Sequence, residues 1–178
     1  MKIRIIPSAL FAAALFAAAL LILAGCGYHI GYMGHPQIRT VGIEPVVNDT
    51  TFYNASAMLR NALSEQFMVD GTYKVVANSK ADCLVCVRIV SVTMSAITET
   101  SYNNDGDIFV PDEWKITVTA EFSVIVPGNR EPLIKLRTVS GSADFQSPSD
   151  IGVSRQRGLQ MACRDLAETI VEFTAEGF

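Results

Sequence analysis

The sequence predicts an α+β domain, with two helices packed on one face of a mostly antiparallel sheet of four to five strands (an αβ sandwich). Three long stretches rich in β-branched residues, at 83–98, 114–126 and 133–145, follow one another with only a loop and a turn between them. An amphipathic helical pattern precedes this group and a second one follows it.

The elements are predicted in the following order. Residues 38–44 alternate apolar and polar side chains and form a short strand that ends at Pro45. The cluster Asn48-Asp49-Thr50-Thr51 supplies helix-capping residues. Ala55, Met58, Leu59, Ala62, Leu63, Gln66 and Phe67 then recur three and four apart, and Asp70-Gly71 stops the helix. Residues 73–77 are a short second strand, residues 78–82 a turn, and residues 83–98 the long third strand.

Tyr102-Asn103-Asn104-Asp105-Gly106-Asp107 is turn chemistry and, with residues 108–113, makes a loop longer than a tight hairpin needs. In the fourth strand, Ile116, Val118, Ala120, Phe122, Val124 and Val126 share one face, and Lys115, Thr117, Thr119, Glu121 and Ser123 the other; one face is core and the other wet. A turn at 127–132 leads into the fifth strand, paired back on the fourth. Ser147-Pro148-Ser149-Asp150 caps a last helix, ended by Gly177, whose stripe is Leu159, Ala162, Cys163, Leu166, Ala167, Ile170, Val171 and Phe173.

The first 25 residues differ in kind from the rest. Lys2 and Arg4 precede an uncharged, alanine-rich run from Ala9 to Ala24, the layout of a signal peptide. The run is short for a membrane-spanning helix, which needs about 20 apolar residues. Leu23-Ala24-Gly25-Cys26 follows the lipobox pattern of apolar, small, small, cysteine. Cleavage before Cys26 and acylation of its thiol and amine (a diacylglycerol and an N-acyl chain) would give the two or more chains that stable anchoring requires. Gly27, in place of aspartate, favours sorting to the outer membrane, with the domain on the periplasmic side. Residues 26–37 read as an extended lipidated leader rich in glycine and aromatics, and residues 38–178 as a single domain.

Losing residues 1–25 removes two of the 14 basic residues and none of the 18 acidic ones, taking the net charge from −4 to −6. Nonspecific nucleic-acid binding is therefore disfavoured. Cys83 and Cys86 lie on a strand, where residues three apart face opposite sides, so neither a local disulfide nor joint metal ligation comes easily. Buried free thiols are the favoured reading, ahead of a bridge from either one to Cys163.

Catalytic machinery is sparse. His29 and His35, the only histidines, both fall in the leader, and no nucleophile elbow, zinc-helix, Walker or dinucleotide motif is present. Asp105-Gly106-Asp107 lacks the spaced ligands and closing glutamate of a calcium loop. The expectation is a protein without enzymatic activity, metal or cofactor beyond its covalent lipid. Arg88 interrupts an apolar strand, Lys115 heads the wet face of the fourth strand, and Lys135 and Arg137 are expected to share one face of the fifth. On neighbouring strands these cations could converge on an anionic head group, or they could belong to an ordinary solvated face with Glu121 opposing them.

Cys26-Gly27-Tyr28-His29 followed by Gly31, then Val41-Gly42-Ile43-Glu44-Pro45-Val46-Val47-Asn48-Asp49-Thr50 running into a helix, resembles the LptE family of lipopolysaccharide-assembly outer-membrane lipoproteins. Ala81-Asp82 before a long strand, and a final helix carrying Arg157-Gly158-Leu159, Ala162, Asp165-Leu166-Ala167 and Ile170-Val171, extend the resemblance over nearly all of the mature chain. The resemblance implies a lipid-anchored plug and assembly factor inside an LptD-type β-barrel, in contact with lipopolysaccharide. Arg88, Lys115, Lys135 and Arg137 are the residues to which that contact would be assigned. The three cysteines fall outside the family's pattern. A rival reading is an envelope binding module of CsgG-like or penicillin-binding-protein-activator type, against which three consecutive long strands argue. An envelope thiol enzyme built on Cys83 and Cys86 is a second.

Overall fold

A computed structural model describes residues 37–101, 109–146 and 151–176, with side chains omitted at 98–101 and 109–112. The signal segment, Cys26, both histidines, the 102–107 turn, the 147–150 cap and Gly177 lie outside the described residues.

The elements run β1 (Thr40–Ile43), β2 (Val47–Asn48), α1 (Ala55–Asp70), β3 (Lys74–Val75), a 3-10 turn (Asn78–Lys80), β4 (Cys83–Ser101), β5 (Phe109–Ile125), β6 (Ile134–Gln146) and α2 (Ile151–Glu176). They build one sheet of order β3-β1-β4-β5-β6, with β2 also on β4. Pro45, which has no N–H to give the ladder, separates β1 from β2 along the same edge of β4.

The expected architecture holds, but the sheet is mixed. β1 pairs in parallel with β3 and β4, and β2 in parallel with β4, whereas β4-β5 and β5-β6 are antiparallel. Parallel neighbours normally need a crossover of a dozen residues or more. Here α1 provides one crossover, and β3 is so short that the 3-10 turn suffices for the return to β4. Asp82 secures that return: its Oδ2 accepts hydrogen bonds from the Arg39 N–H (3.0 Å), the Thr40 N–H (2.9 Å) and the Thr40 hydroxyl (2.8 Å).

The core lies between the helices and one face of the sheet. Val85, Val87 and Ile89 of β4 and Ile116, Val118, Ala120, Phe122 and Val124 of β5 point to that side and are buried, as alternation requires. Leu59, Leu63 and Phe67 of α1 and the stripe from Leu159 to Val171 of α2 close over them. Helix α2 crosses β6 directly above Gly141, where an added Cβ would lie 2.6 Å from the Ala162 carbonyl oxygen and 2.7 Å from Leu166 Cα. The Asp165 carboxylate of α2 also accepts the Ser142 N–H of β6 at 2.8 Å.

Four local expectations are corrected. Asn48-Asp49-Thr50-Thr51 does not cap α1. Instead the Asn48 side chain closes a turn, accepting from the Thr50 N–H (3.0 Å) and hydroxyl (2.7 Å) and donating to the Phe52 carbonyl (2.9 Å), and α1 starts at Ala55 without a side-chain cap. Residues 109–113, read as loop, extend β5. The α2 stripe continues from Ile170 to Thr174 and Ala175, not Phe173, because a turn of helix returns to the same side after four residues; buried Thr174 donates its hydroxyl to the Ile170 carbonyl at 2.7 Å. Lys135 and Arg137 do not share a face, for a reason set by a β-bulge described below. Gly71, at φ 73°, ends α1 as expected, its N–H donating to the Phe67 carbonyl at 3.1 Å.

Candidate functional site

The face of β4-β5-β6 turned away from the helices is the candidate site. Its composition follows from the pleat: residues alternating with the core positions meet across the strands as Ser91-Thr119-Ser140, Thr93-Thr117-Ser142 and Ser95-Lys115-Asp144, with Arg88-Glu121-Thr138 in a further row. The face is therefore a field of hydroxyls bordered by charged side chains, with Leu84, Ile125 and the exposed Leu136 at the end nearest Arg88.

Register decides which cations meet. Arg88 stands opposite Glu121, six residues along β5 from Lys115, which puts the two about 20 Å apart. Each has a carboxylate at hand: Arg88 Nε is 4.0 Å from Asp49 Oδ2, and Lys115 Nζ is 3.6 Å from Asp144 Oδ1, both pairs being largely exposed. On β6, Val124 pairs with Ile134 but Phe122 pairs with Arg137, so both Lys135 and Leu136 stand against the single residue Ser123. This extra residue is a bulge, and it inverts the face of everything beyond it. Arg137 thus shares the helix side with Phe122, its guanidinium carbon 5.2 Å from the centre of the Phe173 ring. Lys135 stays on the outer face, with no ion pair among the described residues.

The structure accordingly brings Arg88 and Lys135 toward one corner, about 12 Å apart at the backbone across β5. Lys115 is at the far end of the face, and Arg137 is behind it. Sequence reasoning missed Asp49 and Asp144 as counter-charges. Asp144 was legible in principle, since it falls opposite Lys115 once the fourth and fifth strands are aligned through their apolar faces; Asp49 was not, because β2 reaches β4 only through the fold.

Cys83 is buried on the core side and Cys86 is half-buried on the outer face, the opposition expected of strand residues three apart. Cys163 is buried in α2. Burial, helped by the neighbouring Asp82 carboxylate, pushes the Cys83 thiol up to about 11, and burial alone pushes Cys163 up to about 12. Cys86 is raised by partial burial and then by Glu44. All three are poor nucleophiles near neutrality. Among the described residues no group of three His, Cys, Asp or Glu side chains could hold a metal ion, and no helix is long and apolar enough to cross a membrane.

A protein-family model described as LptE, lipopolysaccharide-assembly, matches residues 38–173. Solved structures with a similar fold include a protein from Xanthomonas campestris (10% identity, 80% of this chain and 89% of that one, TM-score 0.53) and a protein from Chlamydia trachomatis (11% identity, 76% and 94%, TM-score 0.51). A minor lipoprotein from Acinetobacter baumannii is also similar (12% identity, 79% and 94%, TM-score 0.46). At these identities the likeness is one of fold. No curated protein matches significantly.

Proposed function

The chain belongs to the LptE lipopolysaccharide-assembly family, and we propose that it works, without catalysis, as an outer-membrane lipoprotein anchored through acylated Cys26 and seated as plug and assembly factor in an LptD-type β-barrel. The carrying observation is the family match, which spans β1 to α2. The fold supports the reading by leaving one face of β4-β5-β6 uncovered by either described helix, a surface that can meet a partner or a saccharide-bearing ligand.

Lipopolysaccharide contact on that face falls to Arg88 and Lys135, whose spacing suits two anionic groups of one head group. Lys115, paired with a carboxylate as Arg88 is, lies about 20 Å from that corner and contributes less. Arg137 acts from the helix side, through its packing.

The test is affinity purification of the acylated full-length protein from its native membrane in mild detergent. An LptD-type barrel should co-purify in near-stoichiometric amount; a preparation that repeatedly lacks one would overturn the plug reading.

A further inference from the structure

The loop before α1 and the first turns of α2 enclose a cleft of about 270 Å³ on the helix layer, away from the outer sheet face. Phe52, Met58 and Leu159 give it an apolar floor. Arg155 stands at its mouth, the guanidinium carbon 5.7 Å from the centre of the Phe52 ring, with no carboxylate in ion-pair range among the described residues. Beside it, Tyr53 is 88% exposed.

These features point to one kind of occupant. An aromatic ring beneath a guanidinium limits where the cation can go, and an exposed arginine with no ion pair among the described residues is open to an anionic partner. Exposed tyrosine beside arginine over an apolar floor is the composition of protein interface hot spots. The volume lies just under the roughly 300–1,000 Å³ of small-molecule sites. It has room for one or two apolar side chains and too little for the bundled acyl chains of a glycolipid.

We propose that this cleft seats an apolar side chain flanked by a carboxylate, presented by an acidic segment of the β-barrel partner. The proposal rests on the plug reading above. Tyr53 packs on the entering segment, Arg155 pairs with its carboxylate, and the floor takes the apolar group.

The test uses the full-length acylated protein in its native cell, with the photoreactive residue p-benzoylphenylalanine in place of Tyr53 or, separately, of Thr119 on the outer face, and adducts identified by mass spectrometry. The Tyr53 position should crosslink to the barrel. Arg155→Glu should cut that yield roughly tenfold and Arg155→Lys much less, the size of loss expected on removing an interface anchor. Because Arg155 is exposed and loses only its ring contact with Phe52, the melting temperature of Arg155→Glu should fall by no more than a few degrees, too little to unfold the protein, which separates lost docking from lost folding. An adduct with lipopolysaccharide or phospholipid at position 53, or a barrel adduct at position 119 with none at position 53, overturns the cleft assignment and leaves the plug reading standing. No barrel adduct at either position, with no barrel co-purifying, overturns both.

Discussion

Arg137 and Phe173 meet on the helix side of the sheet, guanidinium over ring at 5.2 Å, although Arg137 is only two residues from Lys135 on the opposite face. Charge reversal at the two positions should therefore have different consequences. Lys135→Glu is expected to weaken lipopolysaccharide binding in vitro by roughly tenfold, the loss of one charge-assisted contact, with Arg88→Glu, whose arginine is shared with Asp49, losing less. Arg137→Glu should leave binding near the parent value and cost about 0.5–1 kcal/mol of stability. Titration with purified lipopolysaccharide and chemical denaturation of each variant check both halves.

At Gly141 the backbones of β6 and α2 come into close approach. Gly141→Ala places a methyl group against the backbone of Ala162 and Leu166, atoms that cannot rotate away, so the helix must lift from the sheet. A loss of about 2–3 kcal/mol is expected, as for an overpacked core. Gly128→Ala, at φ 89° with open space around its Cβ, should cost less; urea unfolding of the pair makes the comparison.

Asp82 links acid stability to the start of the sheet. Its carboxyl is held below the usual range, first by the Arg39 N–H, then by the Thr40 hydroxyl and N–H. A carboxyl lowered in the folded state contributes stability that is complete above its unfolded value near 3.8 and fades as pH falls toward the folded value. Melting temperature measured from pH 7 to pH 2 should thus decline less steeply at the acid end for Asp82→Asn than for the parent, from a lower starting point at neutrality.

The thiols predict an order of labelling. With native protein at pH 8, an alkylating reagent should modify half-buried Cys86 slowly and leave Cys83 and Cys163 untouched until denaturant is added, as read by intact mass. Raised thiols also carry an alkaline signature. Their stabilising contribution is complete below the ordinary value of 9.0 and is lost as pH rises toward about 12, so Cys163→Ala should flatten the loss of stability in that window.

Much of the fold was legible because it is written in short periods. The alternation from Ile116 to Val124 and the three-four spacing from Leu159 to Val171 each name the buried face without knowledge of any neighbour, and every one of those residues is buried. The candidate site was legible in its residue types and not in its arrangement. Lys135 and Arg137 keep strand parity in the sequence, yet a single extra residue opposite Ser123 turns them to opposite sides. Nothing local marks that bulge, since it is set by how β6 aligns with β5.

By itself, then, the sequence determined where the two helices and the three long strands lie, which of their faces are apolar, and the family resemblance that the family match bears out. Tertiary structure decided what depends on a second strand or a distant loop. It set the parallel edge formed by β1, β2 and β3, the conversion of Asn48 from expected helix cap to turn closure, the pairing of Arg88 with Asp49, and the faces of Lys135 and Arg137. The division has a plain cause: hydrophobic periodicity is a property of one segment, whereas strand register and charge pairing are relations between segments, which exist only once the chain has closed on itself.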